Sequence, residues 1–255
     1  MQISTAQILA LVGSYLWPFA RIAAAIMVAP VFNAHVVPKR ARLVLALALT
    51  LIVAPAAPAA AAPAPFSGPG LLLVGQEILI GVAMGFALQM IFDALVIAGQ
   101  TIAMSMGLGF AFLLDSQRGV SVPVLSQMFV MLATLTFLAL DGHLALIQTM
   151  ASSFTTLPVG SGLGRDGVWQ LVGFGSTLFA GALQVALPAA VALIVVNLAF
   201  GVMSRAAPTL NLFAVGFPVT MALGFVILLW TLPNVQSTFV SLLGSAFTLL
   251  HALVG

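Results

Sequence analysis

A long apolar run, residues 71–103, constrains the fold of this chain more than any other feature. Its only charged side chains are Glu77 and Asp93. A transmembrane helix needs about 20 apolar residues to cross a hydrocarbon core roughly 30 Å thick, so this run exceeds what one span requires. Strands of a membrane β-barrel would instead alternate in polarity over short segments. The run therefore predicts a long helix that tilts strongly, protrudes from the bilayer or packs against other protein.

The composition extends this interpretation to the whole chain. Of its 255 residues, 62% are hydrophobic and 5% are charged, which is typical of a polytopic membrane protein and excludes an ordinary soluble domain. Five further apolar runs occupy residues 5–32, 43–54, 124–140, 168–202 and 212–232. At 1.5 Å per residue the second of these reaches only about 18 Å, too short to span. We predict an all-α protein with about six long helices in a single membrane domain, residues 1–255. A weakly amphipathic segment, residues 234–255, forms either a seventh helix or an interfacial one.

The long run also carries small residues at helical spacing. Glycines on neighbouring turns let two helix backbones approach closely. This pattern predicts a tight helix–helix contact along the face that holds Gly75, Gly81 and Gly85.

No constellation in the sequence predicts catalysis or metal binding. Cysteine is absent, and the three histidines stand far apart without a ligand motif. Asp141-Gly142-His143 is the nearest candidate for an acid–base pair, but neighbours on a turn do not orient each other as members of a triad do. We interpret it as a polar helix terminus. We expect no enzymatic activity, metal or cofactor, and the net charge of +2 gives no reason to expect nucleic acid.

Polar side chains within the apolar runs are candidates for function. A charge at the bilayer centre costs roughly 2.5–3.5 kcal/mol on insertion scales, so such residues need partners or access to water. Arg21 therefore either extends to the nearer interface or pairs with Glu77 or Asp93. Asn197, the buried carboxylates and Pro188 would also suit a small-solute or ion transporter, which is the alternative function.

The central segment, residues 104–123, does not have the pattern of a membrane helix. Gly107 and Gly109 weaken helical propensity, residues 115–119 form a polar cluster, and Pro123 restarts the chain. The segment is nevertheless too apolar for an ordinary solvent loop. Irregular backbone at membrane depth requires burial in protein or a cavity to line. We predict a loop held inside protein; a helix end followed by a solvent turn is the alternative.

The basic residues predict an orientation. If the six runs alternate across the membrane, the connections 33–42, 104–123 and 203–211 lie on one side. That side holds Lys39, Arg40, Arg42, Arg118 and Arg205, and the other connections hold only Arg165. The positive-inside rule makes the basic side cytoplasmic and the N-terminus external. We expect Arg205, Pro208 and Asn211 to form a turn on the cytoplasmic side.

Several stretches in sequence order carry a family resemblance. They are PVFNAHVVPKRARLVLALALT (30–50), GQEILIGVAMGF (75–86), AGQTIAMSMGLGFAFLLDSQRGVSVPVLSQMF (98–129), DGHLALI (141–147) and VNLAFGVMSRAAPTLNLFAVGFP (196–218). Together they resemble the FliR family of flagellar export-gate proteins, whose virulence-secretion counterparts are called SctT. The sequence departs from the family pattern at Asn33, Ser105 and Ser116, where Gly, Gln and Pro are expected.

The resemblance implies a subunit of the flagellar type III export gate in the bacterial inner membrane, at the flagellar basal body. Its implied partners are FliP-like and FliQ-like membrane proteins, an FlhB-like export protein, membrane lipid and unfolded export substrates. The helices would form hairpins in a heteromeric assembly, and the central loop would act as a plug. The candidate plug residues are Met104, Met106, Gly107, Leu108, Gly109, Phe110, Phe112, Asp115 and Arg118.

Overall fold

The structure is a computed structural model that describes residues 5–34, 36–58, 63–108, 124–206 and 212–255. Side chains are described from residue 11 onward and, in the last range, from residue 216 onward. Within these ranges the regular structure is entirely helical. The helices are α1 (Thr5–Val28), α2 (Lys39–Val53), α3 (Gly68–Ser105), α4 (Val124–Ala139), α5 (Gly142–Thr156), α6 (Arg165–Ala206) and α7 (Leu212–Val254), and a single 3₁₀ turn, Ala54–Ala56, follows α2. The predicted all-α class is confirmed.

Four of these helices are long and apolar enough to cross a membrane: α1, α3, α6 and α7. A fifth span is available if α4 and α5, interrupted at Leu140 and Asp141, count as one. Helix α2 has 15 residues and reaches about 22 Å, so the short second run is indeed too short for a conventional span. The chain is therefore a multi-pass membrane protein with four or five candidate spans among its described residues, and the predicted orientation remains a prediction.

Helix α5 follows the fourth apolar run and extends through serine and threonine residues as far as Thr156. Leu146, Met150 and Phe154 recur every fourth residue and are all buried, so one face of this segment packs as a helix. The chain enters α5 through Asp141, whose φ of 54° is left-handed. Gly142 follows with its Cα against the Phe137 ring, where a β-carbon would lie 2.5 Å from ring atoms. Asp141 is thus the N-cap residue of a helix.

The segment after Pro233 is different from the prediction. It is not a separate seventh run of helix, because α7 continues through Pro233 to Val254. Its side chains at a spacing of three or four are buried: Val235, Phe239, Leu242, Ala246, Leu249 and Leu253. In an apolar medium a helix tolerates an internal proline, since ending it would leave further backbone groups unpaired.

The helices form two compact units. The first comprises Met1–Met90, Phe137–Gly175 and Gly244–Gly255, and the second comprises Ile91–Thr136 and Ser176–Leu243. The core of the first unit joins Ile22 and Ile26 of α1 to Ala46 of α2 and Phe154 of α5. These side chains are almost fully buried and hold α1 and α2 together, with α5 packed against them.

Helix α3 packs tightly on α1 within the first unit. A β-carbon on Gly81 would collide with the Arg21 carbonyl oxygen, and one on Gly85 would lie 2.8 Å from the Ala25 carbonyl oxygen. The predicted close contact is therefore present at these two glycines. Gly75 does not take part, because a β-carbon there would meet nothing within 4 Å.

The second unit packs the later part of α3 against α4 and α7. Gly99 lies against the Ser126 backbone of α4, and the Ser126 hydroxyl donates a hydrogen bond of 2.9 Å to the Val96 carbonyl. Phe92 of α3 and Phe239 of α7 stack edge to face, with ring centroids 5.4 Å apart. These contacts hold α3 in place up to its end, where the central segment begins.

Candidate functional site

The end of α3 is a glycine-dependent helix terminus at the start of the central segment. Gly107 has a φ of +81°, the left-handed conformation that only glycine adopts freely. Its N–H donates to the Met104 carbonyl at 3.0 Å, and the Leu108 N–H donates to the Ala103 carbonyl at 3.0 Å. This pair of bonds is a Schellman motif. Gly107, which the sequence marked as a weak helix former, is therefore the residue that ends α3.

Every carbonyl of this last helical turn has a donor. The Met106 N–H bonds to the Ile102 carbonyl at 2.9 Å, and the Schellman bonds satisfy the next two carbonyls. The Ser105 carbonyl accepts a hydrogen bond of 3.1 Å from the Asn197 amide nitrogen of α6. A helix end with no unpaired carbonyl is stable without water.

Helix α7 completes the surroundings of this helix end. Met106 is fully buried and lies along Gly224, where a β-carbon would be 2.6 Å from Met106 Cε and 2.7 Å from its Cγ. Gly107 faces the Phe217 ring, and a β-carbon placed on Gly107 would lie 3.3 Å from the nearest ring atom. Met104, by contrast, is exposed. Of the other predicted plug residues, Leu108 is partly buried, and Gly109, Phe110, Phe112, Asp115 and Arg118 lie outside the described residues.

A second polar centre lies in the first unit, around Arg21. Arg21 and Glu77 are both fully buried and form an ion pair, with 2.7 Å between Arg21 Nε and Glu77 Oε2. Of the two interpretations that the sequence left open, extension to the interface is thus wrong and pairing with Glu77 is correct. The physical reason is that α1 and α3 meet through Gly81, one turn from Glu77, so the carboxylate is within reach.

The remaining groups around Arg21 satisfy its other donors. Nη1 donates to the carbonyl and the hydroxyl of Ser153, each at 3.0 Å, and both terminal nitrogens donate to the Leu157 carbonyl. These acceptors lie at the C-terminal end of α5, where the helix dipole favours a cation. The guanidinium carbon also lies 4.3 Å from the centroid of the Phe154 ring. Glu77 in turn accepts a bond from the Gly160 N–H at 3.4 Å.

The other polar residues singled out in the sequence do not belong to the Arg21 centre. Asp93 is partly buried in the second unit. Arg205 is exposed at the end of α6, and Pro208 and Asn211 lie outside the described residues. The predicted turn at Arg205 therefore stays a prediction.

The basic group after α1 contains one structural residue. Lys39 and Arg40 are exposed, but Arg42 donates to the Asn33 side-chain oxygen at 2.7 Å and to the carbonyls of Ala34 and Val37 at 2.8 and 3.0 Å. Arg42 thus closes the connection between α1 and α2. Asn33, one of the departures from the family pattern, supplies an acceptor for it.

Sequence reasoning missed several residues of these two centres. Ser153, Phe154 and Leu157 surround Arg21, yet nothing in their local sequence indicates this role. Gly224 was likewise missed, although a glycine within a long apolar run is a signal of close packing. Asn197 was identified as an intramembrane polar residue, but its partner, the Ser105 carbonyl, was not.

Comparison with known proteins places this chain in a defined group. Residues 12–246 match the family described as bacterial export proteins, family 1. The chain is 38% identical to the flagellar biosynthetic protein FliR of Escherichia coli (strain K12) over 255 residues, which cover 100% of this chain and 97% of that protein. It is 39% identical to FliR of Pectobacterium carotovorum subsp. carotovorum, over 94% of this chain and 92% of that protein. It is 31% identical to FliR of Aquifex aeolicus (strain VF5), over 86% of this chain and 84% of that protein.

Proposed function

The chain belongs to the bacterial export proteins of family 1 and is a flagellar export component, and from this premise we propose that it is a gate subunit. With FliP-like and FliQ-like membrane proteins it forms the conduit through which unfolded flagellar subunits cross the inner membrane at the basal body. An FlhB-like protein is a further partner. In its resting state the conduit is closed by the central segment, residues 104–123.

The observation that carries this proposal is the excess of apolar helix surface. Helices α6 and α7 contain 42 and 43 residues and so measure about 63 and 65 Å, twice the hydrocarbon thickness. Within an 18-residue apolar stretch of each helix, only 28% of the residues of α6 and 22% of those of α7 are buried within the chain. Lipid can cover about half of such a length. The rest needs apolar protein surface, which a hetero-oligomeric gate provides.

The plug role is supported by the residues that lead into the central segment. A conduit for unfolded polypeptide leaks ions at rest unless a close-fitting apolar group occupies it. In the sequence Leu108, Phe110 and Phe112 alternate with glycine and alanine, so large groups can fill a lumen while small ones allow tight turns.

The alternative function, a secondary transporter, loses one of its arguments. A proton relay needs a carboxylate that can exchange its proton with a pathway. The Glu77 carboxylate is instead held by the Arg21 guanidinium and the Gly160 N–H. Its arrangement is that of a structural ion pair.

Replacing residues 109–122 with a glycine–serine linker of equal length tests the plug. Met106 to Leu108 are kept, because Met106 belongs to the packed core. We expect membranes that contain the assembled gate to show a severalfold higher ion conductance, while the partner subunits still co-purify with the variant. An unchanged conductance in a correctly assembled complex would show that the segment is not the seal.

A further inference from the structure

Three helices converge on the last turn of α3. From helix α6, Asn197 donates a hydrogen bond to the Ser105 carbonyl. From helix α7, Gly224 packs against Met106, and the Phe217 ring packs against Gly107. All six residues belong to the second compact unit. The arrangement uses one hydrogen bond and two close packing contacts at consecutive positions of α3.

Each of these contacts requires the residue that is present. The buried Met106 side chain occupies the position that any β-carbon on Gly224 would need, so only glycine fits there without displacing the methionine. Among the described residues, the Schellman bonds and the α-helical bond satisfy the carbonyls of residues 102–104, and Asn197 donates to the Ser105 carbonyl. A helix surface that only packed apolar groups would need neither the Asn197 amide nor a glycine at position 224.

We infer that the end of α3 is a fixed anchor for the central segment, and that Asn197 and Gly224 are the positioning residues that hold it. The anchor keeps Ser105, Met106 and Gly107 in the same place at rest and during export. The inference rests on the proposed function, because the anchor matters to the gate only if the segment it starts is the seal.

A reversible disulfide tests whether the anchor stays in place. Gly224 Cβ would lie 2.7 Å from Met106 Cγ, which is one bond from Met106 Cβ, so the two Cβ atoms are at most about 4.2 Å apart, within the upper limit of roughly 4.5 Å for a disulfide. The chain has no other cysteine. We expect Met106→Cys/Gly224→Cys to form the bond in the assembled gate and to export substrate at the same rate before and after reduction. Export that stops on oxidation and returns on reduction would overturn the inference, as would failure of the bond to form.

Loosening the anchor tests its positioning role. We expect Gly224→Leu and Asn197→Leu to raise the resting ion conductance severalfold in gates that still contain the partner subunits. Gly201→Leu is the matched control, since Gly201 lies in α6 and a β-carbon there would meet nothing within 4 Å. In Met106→Ala/Gly224→Leu the leucine occupies the space that the methionine leaves, so we expect conductance to return toward the original value.

Combination with the segment replacement separates this inference from the proposed function. If the 109–122 linker itself raises conductance, adding Asn197→Leu should raise it no further, because nothing remains to be positioned. A linker that leaks while Gly224→Leu and Asn197→Leu do not would overturn the anchor and leave the plug intact. A linker that does not leak would instead overturn the plug.

Discussion

At the residue scale, Arg21 is the most completely partnered side chain described in the molecule. Its guanidinium contacts a carboxylate, a hydroxyl, two carbonyls and an aromatic ring. Replacement of a buried ion pair by apolar groups is often tolerated, but removal of one partner leaves an uncompensated charge. Arg21 has a further role, because it is the donor for the last carbonyls of α5. The pair therefore specifies how α1, α3 and α5 meet.

Glu77→Ala should consequently destabilise the assembled protein strongly. We expect a loss of about 3–5 kcal/mol, because the Arg21 cation then stays buried without a counter-charge. Glu77→Gln keeps an acceptor for Arg21 Nε and should cost less. Thermal unfolding of the purified complex measures both variants. Asp166→Ala, at an exposed position in the first turn of α6, is the control and should change stability by less than about 1 kcal/mol. Equal melting temperatures for Glu77→Ala and Asp166→Ala would contradict a structural role for the pair.

At the element scale, helix length and small residues decide how the helices associate. Helix α3 has 38 residues, about 57 Å, so its two parts can pack in different units of the chain. In the first unit it approaches α1 through Gly81 and Gly85, and in the second it approaches α4 through Gly99. At each of these points a β-carbon would meet backbone atoms, which cannot move aside as a flexible side chain can.

Gly81→Ala should therefore weaken the contact between α1 and α3. In an exposed helix this substitution gains roughly 0.5–1 kcal/mol from propensity. At Gly81 the new methyl group collides with the Arg21 carbonyl, and overpacking of this kind costs about 1–3 kcal/mol. We expect a net lower melting temperature of the complex for Gly81→Ala. Gly75→Ala, in the same helix and with open space around it, should leave the melting temperature unchanged or raise it. A Gly81→Ala protein as stable as Gly75→Ala would rule out the tight contact.

At the scale of the whole molecule, the exposed apolar surface decides whether the chain stays alone or associates with other protein. Large apolar side chains along α6 and α7 remain exposed within the chain, among them Phe179, Leu187, Ile194, Phe225 and Trp230. Their helices extend over about twice the bilayer core. Detergent or lipid can cover only part of them, so the isolated chain is left with apolar surface that favours association.

We expect the chain to be stable only together with FliP-like and FliQ-like partners. Produced alone in detergent, it should elute as a broad, polydisperse species without a cooperative thermal transition. Co-expressed with two such membrane proteins, it should co-purify with both as a single species. A monodisperse chain that unfolds cooperatively without partners would count heavily against an obligate gate subunit.

The amino-acid sequence by itself determined the class of this protein. Its long apolar runs exceed any soluble core and can be satisfied only by helices in an apolar medium, so the fold class followed from local composition and spacing. The excess length of α3, the shortness of α2, the packing glycines at 81 and 85 and the helix break at Gly107 followed in the same way. These properties depend on residues that are neighbours along the chain.

The tertiary structure alone decided which distant groups meet. Arg21 and Glu77 are 56 residues apart, Arg21 and Ser153 are 132 apart, and Asn197 and Ser105 are 92 apart. In so apolar a chain many helix faces look alike, so periodicity cannot select among the possible pairings. The continuation of α7 through Pro233 was decided by packing for the same reason, because its side chains are buried beyond the proline. Partner choice depends on shape and on unpaired polar groups, and both exist only once the helices have packed.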